Sequence, residues 1–203
     1  MDNYADMMFQ GAVADLQRLE GTYDKFQKFY THRTQSTLND KDIAFITARD
    51  SFYISSLNAQ GWPYIQHRGG APGFVQILGA NQLACADYAG NKQFITMGNL
   101  MADDRVSLFF MDYLNHARLK IQGRATLKSI ADSDPALVKQ LDTGTTPAQR
   151  ILTIDIISMD WNCPKYIPTL YPEHIVRDVI GQQMGKLQAD NELLKTELAK
   201  LRD

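Results

Sequence analysis

Three stretches of the chain differ in how their hydrophobic and polar positions alternate. Up to about residue 50 the apolar residues recur every three or four positions, which is typical of amphipathic helices. In the middle of the chain short apolar runs alternate with turns rich in glycine and asparagine, and this pattern predicts β-strands. We therefore expect an N-terminal helical segment at 1–50, a strand-rich domain at 51–172 and a C-terminal helix at 173–203.

The middle of the chain predicts six or seven strands. Their expected ranges are 52–57, 62–68, 74–78, 82–86, 105–111, 118–127 and 150–159. Pro63 has no N–H to donate, so it should stand at the first residue of its strand or on an edge. We expect the first four strands to form a meander, and all of them to join one closed or nearly closed antiparallel sheet, because closure removes exposed edges.

Short helices are predicted on both sides of these strands, which makes the expected fold a mainly β, α+β fold. Their approximate ranges are 7–19, 23–32, 40–46, 91–101 and 131–141. Gly21 is expected to end the first helix, and the stretch 39–42 offers side-chain oxygens that cap the third.

The C-terminal helix carries apolar residues at the spacing of a coiled coil. Steps of three and four residues join Met184, Leu187, Asn191, Leu194, Leu198 and Leu201. Asn191 then occupies an a position of the heptad, where a buried asparagine favours parallel two-stranded pairing in one register. We expect this helix to pair with a second copy, either within a homodimer or between dimers as a tetramer. The alternative is an amphipathic helix packed on its own domain.

Composition and charge exclude several classes of protein. Of the 203 residues, 44% are hydrophobic and 22% charged, which excludes a wholly disordered chain. The net charge of −2 provides no general attraction to nucleic acid or an anionic membrane. The mean hydropathy is −0.31, no apolar run is long enough to cross a bilayer, and the N-terminus lacks a basic signal-peptide region. We expect a soluble cytoplasmic protein that binds neither nucleic acid nor membrane.

The sequence carries no motif for metal binding or nucleophilic catalysis. Cys85 and Cys163 form no C-x-x-C pair, so we expect neither a zinc site nor a disulfide framework. The histidines stand alone, and each is more simply a surface or core residue than a ligand; they are His32, His67, His116 and His174. No H-E-x-x-H, G-x-S-x-G or P-loop pattern occurs. The sequence therefore predicts no metal site and leaves the catalytic residues unknown.

One group of residues has the pattern of an anion site. Tyr64, Gln66 and Arg68 alternate along the second predicted strand and so share one of its faces. Lys92 follows in a loop that opens the predicted helix near residue 91, where free N–H groups add positive potential. The arginine and the lysine can converge on a phosphate. The alternative is that both are solvated surface residues.

The segment 52–126 resembles the pyridoxamine 5'-phosphate oxidase-like flavoproteins of the FMN-binding split-barrel class. The matching stretches are GWPYIQHRGG at 61–70, DYAGNK at 87–92, GNL at 98–100, VSLFF at 106–110 and IQGRA at 121–125. In addition, WNCPKYI at 161–167 resembles a closing segment of one branch of that family.

This resemblance implies an antiparallel split barrel and a homodimer with two FMN molecules at the subunit interface. The second strand would run beside the flavin ring, and the loop at 87–92 would hold the phosphate. The implied cofactor-binding residues are Tyr64, Gln66, His67, Arg68, Gly69, Asp87, Tyr88, Asn91, Lys92, Asn99 and Trp161. Trp161 would stack near the pocket of the partner, or else pack in its own core. Asn91 stands where the family pattern has an arginine, so FAD is an alternative to FMN.

The resemblance does not extend to the substrate site. Authentic pyridoxamine 5'-phosphate oxidases close with a basic, histidine-containing segment, whereas this chain continues into prolines and the heptad helix. We therefore expect an FMN-binding oxidoreductase whose small-molecule substrate is unknown. One alternative is a non-catalytic flavin-binding or flavin-sensing protein. A weaker alternative is a haem-binding split-barrel protein with His67 and His116 as axial ligands.

Overall fold

The computed structural model of the protein describes residues 4–31, 36–142 and 146–201. The helices are α1 (Tyr4–Met8), α2 (Ala12–Leu19), α3 (Tyr23–Thr31), α4 (Asp40–Thr47), α5 (Ile95–Ala102), α6 (Pro135–Leu141) and α7 (Glu173–Lys200). The strands are β1 (Ser51–Leu57), β2 (Pro63–Gly69), β3 (Gln76–Gly79), β4 (Gln82–Tyr88), β5 (Arg105–Asp112), β6 (Ala117–Ser129) and β7 (Ala148–Trp161). The chain divides into two compact units, the first within 1–112 and 117–164 and the second within 113–116 and 165–203.

The described strands form one antiparallel sheet in the order β2-β1-β5-β6-β7-β4-β3. The predicted α+β fold, the strand number and the C-terminal helix are therefore confirmed. Pro63 begins β2, an outer strand of this order, as its missing N–H requires.

The predicted meander of the first four strands is wrong. β1 and β2 form one hairpin and β3 and β4 another, but β5, β6 and β7 lie between the two hairpins in the sheet. The apolar β5 pairs with β1 along residues such as Ile54 and Leu108, which are both buried. The free energy gained by burying these apolar strands in the middle of the sheet exceeds the advantage of pairing β2 with β3 across their short connection.

The core of the first unit lies on the inner face of this sheet, and buried residues alternate along β1, β5 and β6. The largest fully buried strand residues are Phe52, Ile54, Leu83, Leu108, Phe110, Leu119, Ile121, Leu152, Ile154, Ile156 and Met159. The rings of Phe52 and Phe110 stack with centroids 5.0 Å apart. At Gly123, next to a bulge between β6 and β7, a Cβ atom would lie 2.7 Å from the Asp155 carbonyl oxygen, so these strands approach closely where glycine stands.

The helices at the N-terminus differ from the prediction in one place. The expected helix at 7–19 is two helices, because Gly11 takes a φ of 55° between them. The next helix ends at Thr31, and His32, its predicted last residue, lies outside the described residues. The predicted cap of α4 is confirmed, since Asn39 Oδ1 accepts hydrogen bonds from the N–H groups of Lys41 and Asp42 at 2.9 and 3.1 Å.

A buried polar network ties the N-terminal helices to the sheet. The Tyr30 hydroxyl donates to Asp160 Oδ1 over 2.8 Å, and Lys120 Nζ donates to the Tyr4 hydroxyl over 2.7 Å. Lys120 and Asp160 also form an ion pair of 3.1 Å on neighbouring strands.

Two boundaries later in the chain also differ from the prediction. The expected helix at 131–141 begins at Pro135, because Ser129 caps a short 3-10 turn at Ile130–Asp132 and Asp134 then caps α6. β4 extends to Tyr88, so Asp87 and Tyr88 belong to a strand and not to the predicted loop.

The second unit consists of the turn 113–116, an irregular segment and the 28-residue helix α7. Within it His116 Nε2 lies 2.6 Å from the Thr169 hydroxyl. None of the helices in the described part of the chain has both the length and the apolar character that a membrane span needs.

Candidate cofactor-binding site

Seven of the predicted cofactor-binding residues line one cavity of about 100 Å³ in the first unit. They come from β2, from the end of β4 and from the loop that follows, and they are Tyr64, Gln66, Arg68, Asp87, Tyr88, Asn91 and Lys92. Residues 94–97, which include the amino end of α5, form another wall.

The alternation of β2 places its three residues in this cavity. Tyr64, Gln66 and Arg68 are half-buried, whereas Ile65 and His67 on the opposite face are exposed. The hairpin with β1 holds this register, with Ser51 opposite Gly69 and Leu57 opposite Pro63. The period of the strand therefore orients the residues as the sequence predicted.

Arg68 is part of a buried ionic group and is not a solvated surface residue. It donates to Asp87 Oδ1, and Arg150 Nε donates to Asp87 Oδ2 over 2.8 Å. The side chains of Arg68, Asp87 and Arg150 are 12%, 9% and 18% exposed. Two guanidinium groups share one carboxylate, so the group keeps a net positive charge in a place that water reaches poorly.

Arg68 also retains an unused donor. Its Nε is buried and has no hydrogen-bond partner among the residues that the structure describes. An unsatisfied buried donor is costly, and an acceptor brought by a ligand would satisfy it.

The loop after β4 does not have the predicted conformation. The helix expected near Asn91 begins at Ile95, because Lys92 and Phe94 take left-handed φ values of 62° and 55°. Asn91 instead closes a local turn, in which its Oδ1 accepts from the Gln93 N–H over 3.1 Å. Lys92 is exposed, and within the described part of the chain its ammonium forms no ion pair. The lysine thus borders the cavity from a strained turn and not from a helix end.

A hydrogen bond that the sequence did not predict orients Gln66. The Thr96 hydroxyl of α5 donates to Gln66 Oε1 over 2.8 Å, and Thr96 is buried. Because the amide oxygen is engaged, the NH₂ group of Gln66 is left as the donor. The polar side of the cavity is therefore rich in donors.

Arg150 and Thr96 are the main residues that sequence reasoning missed. Arg150 enters the site because it stands opposite Asp87 in the pairing of β4 with β7, 63 residues later. Its guanidinium also lies 5.7 Å from the ring centroid of Phe94. The residues next to Arg150 in the sequence do not indicate which strand it pairs with. The only visible indication is that an arginine stands at the start of a predicted buried strand.

His67 and Gly69 line a neighbouring cavity of about 190 Å³, to which Phe74 and Ala86 also contribute. The ring of His67 packs edge-on against Tyr53, with centroids 5.5 Å apart. The use of His67 and His116 as haem ligands stays a prediction.

Asn99 and Trp161 do not line either cavity. Asn99 is buried in α5, and its Nδ2 donates to the Ser56 hydroxyl over 2.9 Å, which ties the helix to β1. Trp161 Nε1 donates to Asp42 Oδ1 over 2.8 Å, and its ring lies 4.6 Å from that of Phe45. Within its own chain Trp161 thus packs against α4, and stacking in the pocket of a partner stays a prediction.

Cys85 is buried and precedes Asp87 by two residues on β4. Burial raises the pKa of its thiol to about 12, against a smaller opposing effect of Arg68. The thiol is therefore protonated and unreactive at neutral pH. Among the residues that the structure describes, no group of three or more histidine, cysteine or acidic side chains is placed to hold a metal ion.

Comparison with solved structures gives distant similarities. HupZ from group A Streptococcus is 9% identical, with a TM-score of 0.50 over 66% of this chain and 100% of that one. A protein of the pyridoxinephosphate oxidase family from Clostridium acetobutylicum is 12% identical, with a TM-score of 0.45 over 60% and 85%. An FMN-binding protein from Syntrophomonas wolfei is 15% identical, with a TM-score of 0.40 over 72% and 97%. At 9% identity the similarity to HupZ concerns the fold alone.

Family comparison is more informative. Among curated proteins none matches the chain. Residues 38–152 match the family model described as pyridoxamine 5'-phosphate oxidase, and this range includes α4, the strands β1 to β6, the beginning of β7, and both cavities. The predicted antiparallel split barrel is the fold of this chain. Because the match to the family model spans more than half of the 203 residues, the chain belongs to the pyridoxamine 5'-phosphate oxidase family.

Proposed function

We propose that this chain binds FMN at the cavity between β2, β4 and α5, and that it is a flavin-dependent oxidoreductase acting on a small molecule. One observation carries the proposal: cationic side chains from three separate parts of the chain, Arg68, Lys92 and Arg150, border one small cavity. Family membership makes a flavin the ligand to test first.

The charge of the cavity suits a phosphate. Three cationic groups face one carboxylate, Asp87, so the excess positive charge matches a phosphate dianion. The donor-rich wall at Gln66 and the buried Nε of Arg68 fit the same ligand, because phosphate oxygens only accept. Arg150 supplies the guanidinium that the family pattern places at the position of Asn91.

The volume of the cavity suits the phosphate end of the flavin and not its ring. The adjoining cavity of about 190 Å³, along the end of β2, offers room for more of the ligand. When bound, the flavin would supply the redox chemistry, and the chain's residues would bind and orient it.

We extend the proposal to a homodimer in which a second subunit completes the site. Apolar side chains are exposed on β1 and β2 and in the turn that joins them, namely Tyr53, Trp62 and Ile65. Apolar surface of this kind is stabilised by burial against a partner. A chain truncated after Pro172 should remain a flavin-bearing dimer in light scattering. A folded, flavin-bearing monomer would contradict this.

The proposed cofactor can be tested directly on the purified full-length protein. We expect a yellow protein with flavin absorption, and release by heat followed by mass determination should yield FMN. Release of FAD would correct the cofactor, and a protein that neither carries nor takes up flavin would overturn the proposal. Reduction by NADH or NADPH and reoxidation by an acceptor would support an oxidoreductase, whereas a bound flavin that no donor reduces would favour a non-catalytic binding protein.

A further inference from the structure

Helix α7 exposes an apolar stripe along its length. The side chains of Met184, Leu187, Leu194 and Leu198 are 51–56% exposed, and among the described side chains of the helix only Ile175 is partly buried. The helix also contains Gly181 and Gly185, which weaken helix formation. Most helical stability in proteins comes from burial of an apolar face. Burial of this stripe against a partner would therefore stabilise the helix.

The heptad positions of the stripe indicate which partner fits. Met184, Asn191 and Leu198 occupy a positions, and Leu187, Leu194 and Leu201 occupy d positions. A single asparagine at a is satisfied when it meets the same residue of a parallel, in-register neighbour, whereas an apolar partner surface would leave its amide unpaired. The partner that supplies a matching asparagine is a second copy of this helix.

The charges that flank the stripe favour the same arrangement. Asp190 and Glu197 occupy g positions, and Lys195 occupies an e position. In a parallel pair g residues face e residues of the next heptad on the other helix, so Asp190 would face Lys195 of the partner subunit. In an antiparallel pair the g residues of the two helices face each other, so the acidic residues Asp190 and Glu197 would face acidic residues and repel them.

We propose that α7 pairs with α7 of a second copy as a parallel, in-register two-stranded coiled coil, with the Asn191 side chains paired. This inference rests on the helix alone and is independent of flavin binding.

Cysteine crosslinking in the full-length chain tests direction and register. Cys163 is exposed and is replaced first by serine, while buried Cys85 is retained. In this background Leu187→Cys and Leu194→Cys each place a thiol at d, where it should form a disulfide with its own copy under mild oxidation. Ala189→Cys, exposed at an f position, is the matched control and should crosslink at least tenfold more slowly.

The crosslinked product is detected on a non-reducing denaturing gel. A dimer that forms through the barrel without a disulfide dissociates there and does not contribute to the band. In addition, a mixture of Leu187→Cys and Leu194→Cys chains should yield few mixed disulfides, because the two positions lie about 10 Å apart along the helix. Crosslinking at 189 as fast as at 187 and 194, or preferential mixed disulfides, would overturn the proposal.

A charge exchange provides a second test, in which the substitutions added to the Leu194→Cys chain lie outside the a and d positions. Lys195→Glu should slow the Leu194→Cys crosslink severalfold, since the introduced carboxylate would then face the carboxylate of Asp190 across the pair. Adding Asp190→Lys in the same chain should restore the rate. If the double variant crosslinks no faster than Lys195→Glu alone, the parallel pairing of these positions is wrong.

Discussion

Arg68 and Asp87 form a buried ion pair although four strands separate β2 from β4 in the order of the sheet. Their contact requires the sheet to curve until its two ends approach each other. Arg150 joins the same carboxylate from β7, next to β4. The pair therefore closes the barrel at this end and at the same time forms the wall of the cationic cavity.

Removing the charge of Asp87 should destabilise the fold. Asp87→Asn keeps the shape of the side chain but leaves two poorly hydrated guanidinium groups without a counter-charge, so the free energy of unfolding should fall by about 3–5 kcal/mol. Urea denaturation measures this change. The matched control is Asp155→Asn, an exposed aspartate on β7 whose loss should cost less than about 0.5 kcal/mol. Similar losses in both variants would mean that the ionic group contributes no particular stability.

Lys92 should contribute to FMN affinity through the phosphate. A charge-assisted contact of about 1.5–3 kcal/mol predicts that Lys92→Ala raises the Kd for FMN about ten- to a hundredfold. Fluorescence titration with FMN and with riboflavin, which lacks the phosphate, separates this effect from general damage, since riboflavin binding should be unchanged. Lys128→Ala, at an exposed position of β6, is the control. An unchanged Kd for FMN would remove Lys92 from the site.

Thr96 should act by holding the Gln66 amide in place. Thr96→Val removes the hydroxyl that donates to Gln66 Oε1, so the amide is no longer oriented, and we expect flavin to bind about fivefold more weakly, as for the loss of ~1 kcal/mol. Thr96→Ser retains the hydroxyl and should restore affinity. If the valine and serine variants bind flavin equally well, the hydrogen bond does not position Gln66.

The buried thiol of Cys85 should make stability depend on pH in the alkaline range. Its pKa is about 12 in the folded chain and near its ordinary value of 9 when unfolded. Between these values the unfolded chain releases the proton first, so the contribution of Cys85 is complete below pH 9 and declines as the pH rises towards 12. The difference in unfolding free energy between wild type and Cys85→Ala should therefore shrink over this range. A constant difference would contradict the raised pKa.

Much of the local structure followed from the sequence by itself. The alternation of Tyr64, Gln66 and Arg68 placed them on one face of β2, Pro63 marked the beginning of that strand, and Asn39 marked the beginning of α4. These features depend on the period of a strand and on hydrogen bonds between near neighbours, so a short stretch of sequence determines them.

The tertiary structure decided which of these pieces meet. The insertion of three strands between the β1–β2 and β3–β4 hairpins, and the register that brings Arg150 to Asp87, depend on burial across the whole sheet. The late beginning of α5 likewise depends on a turn held at Lys92 and Phe94, and the packing of Trp161 against α4 joins residues 119 apart in the chain. Such contacts are selected by the joint packing of distant segments, because no local pattern distinguishes one apolar strand as a neighbour from another.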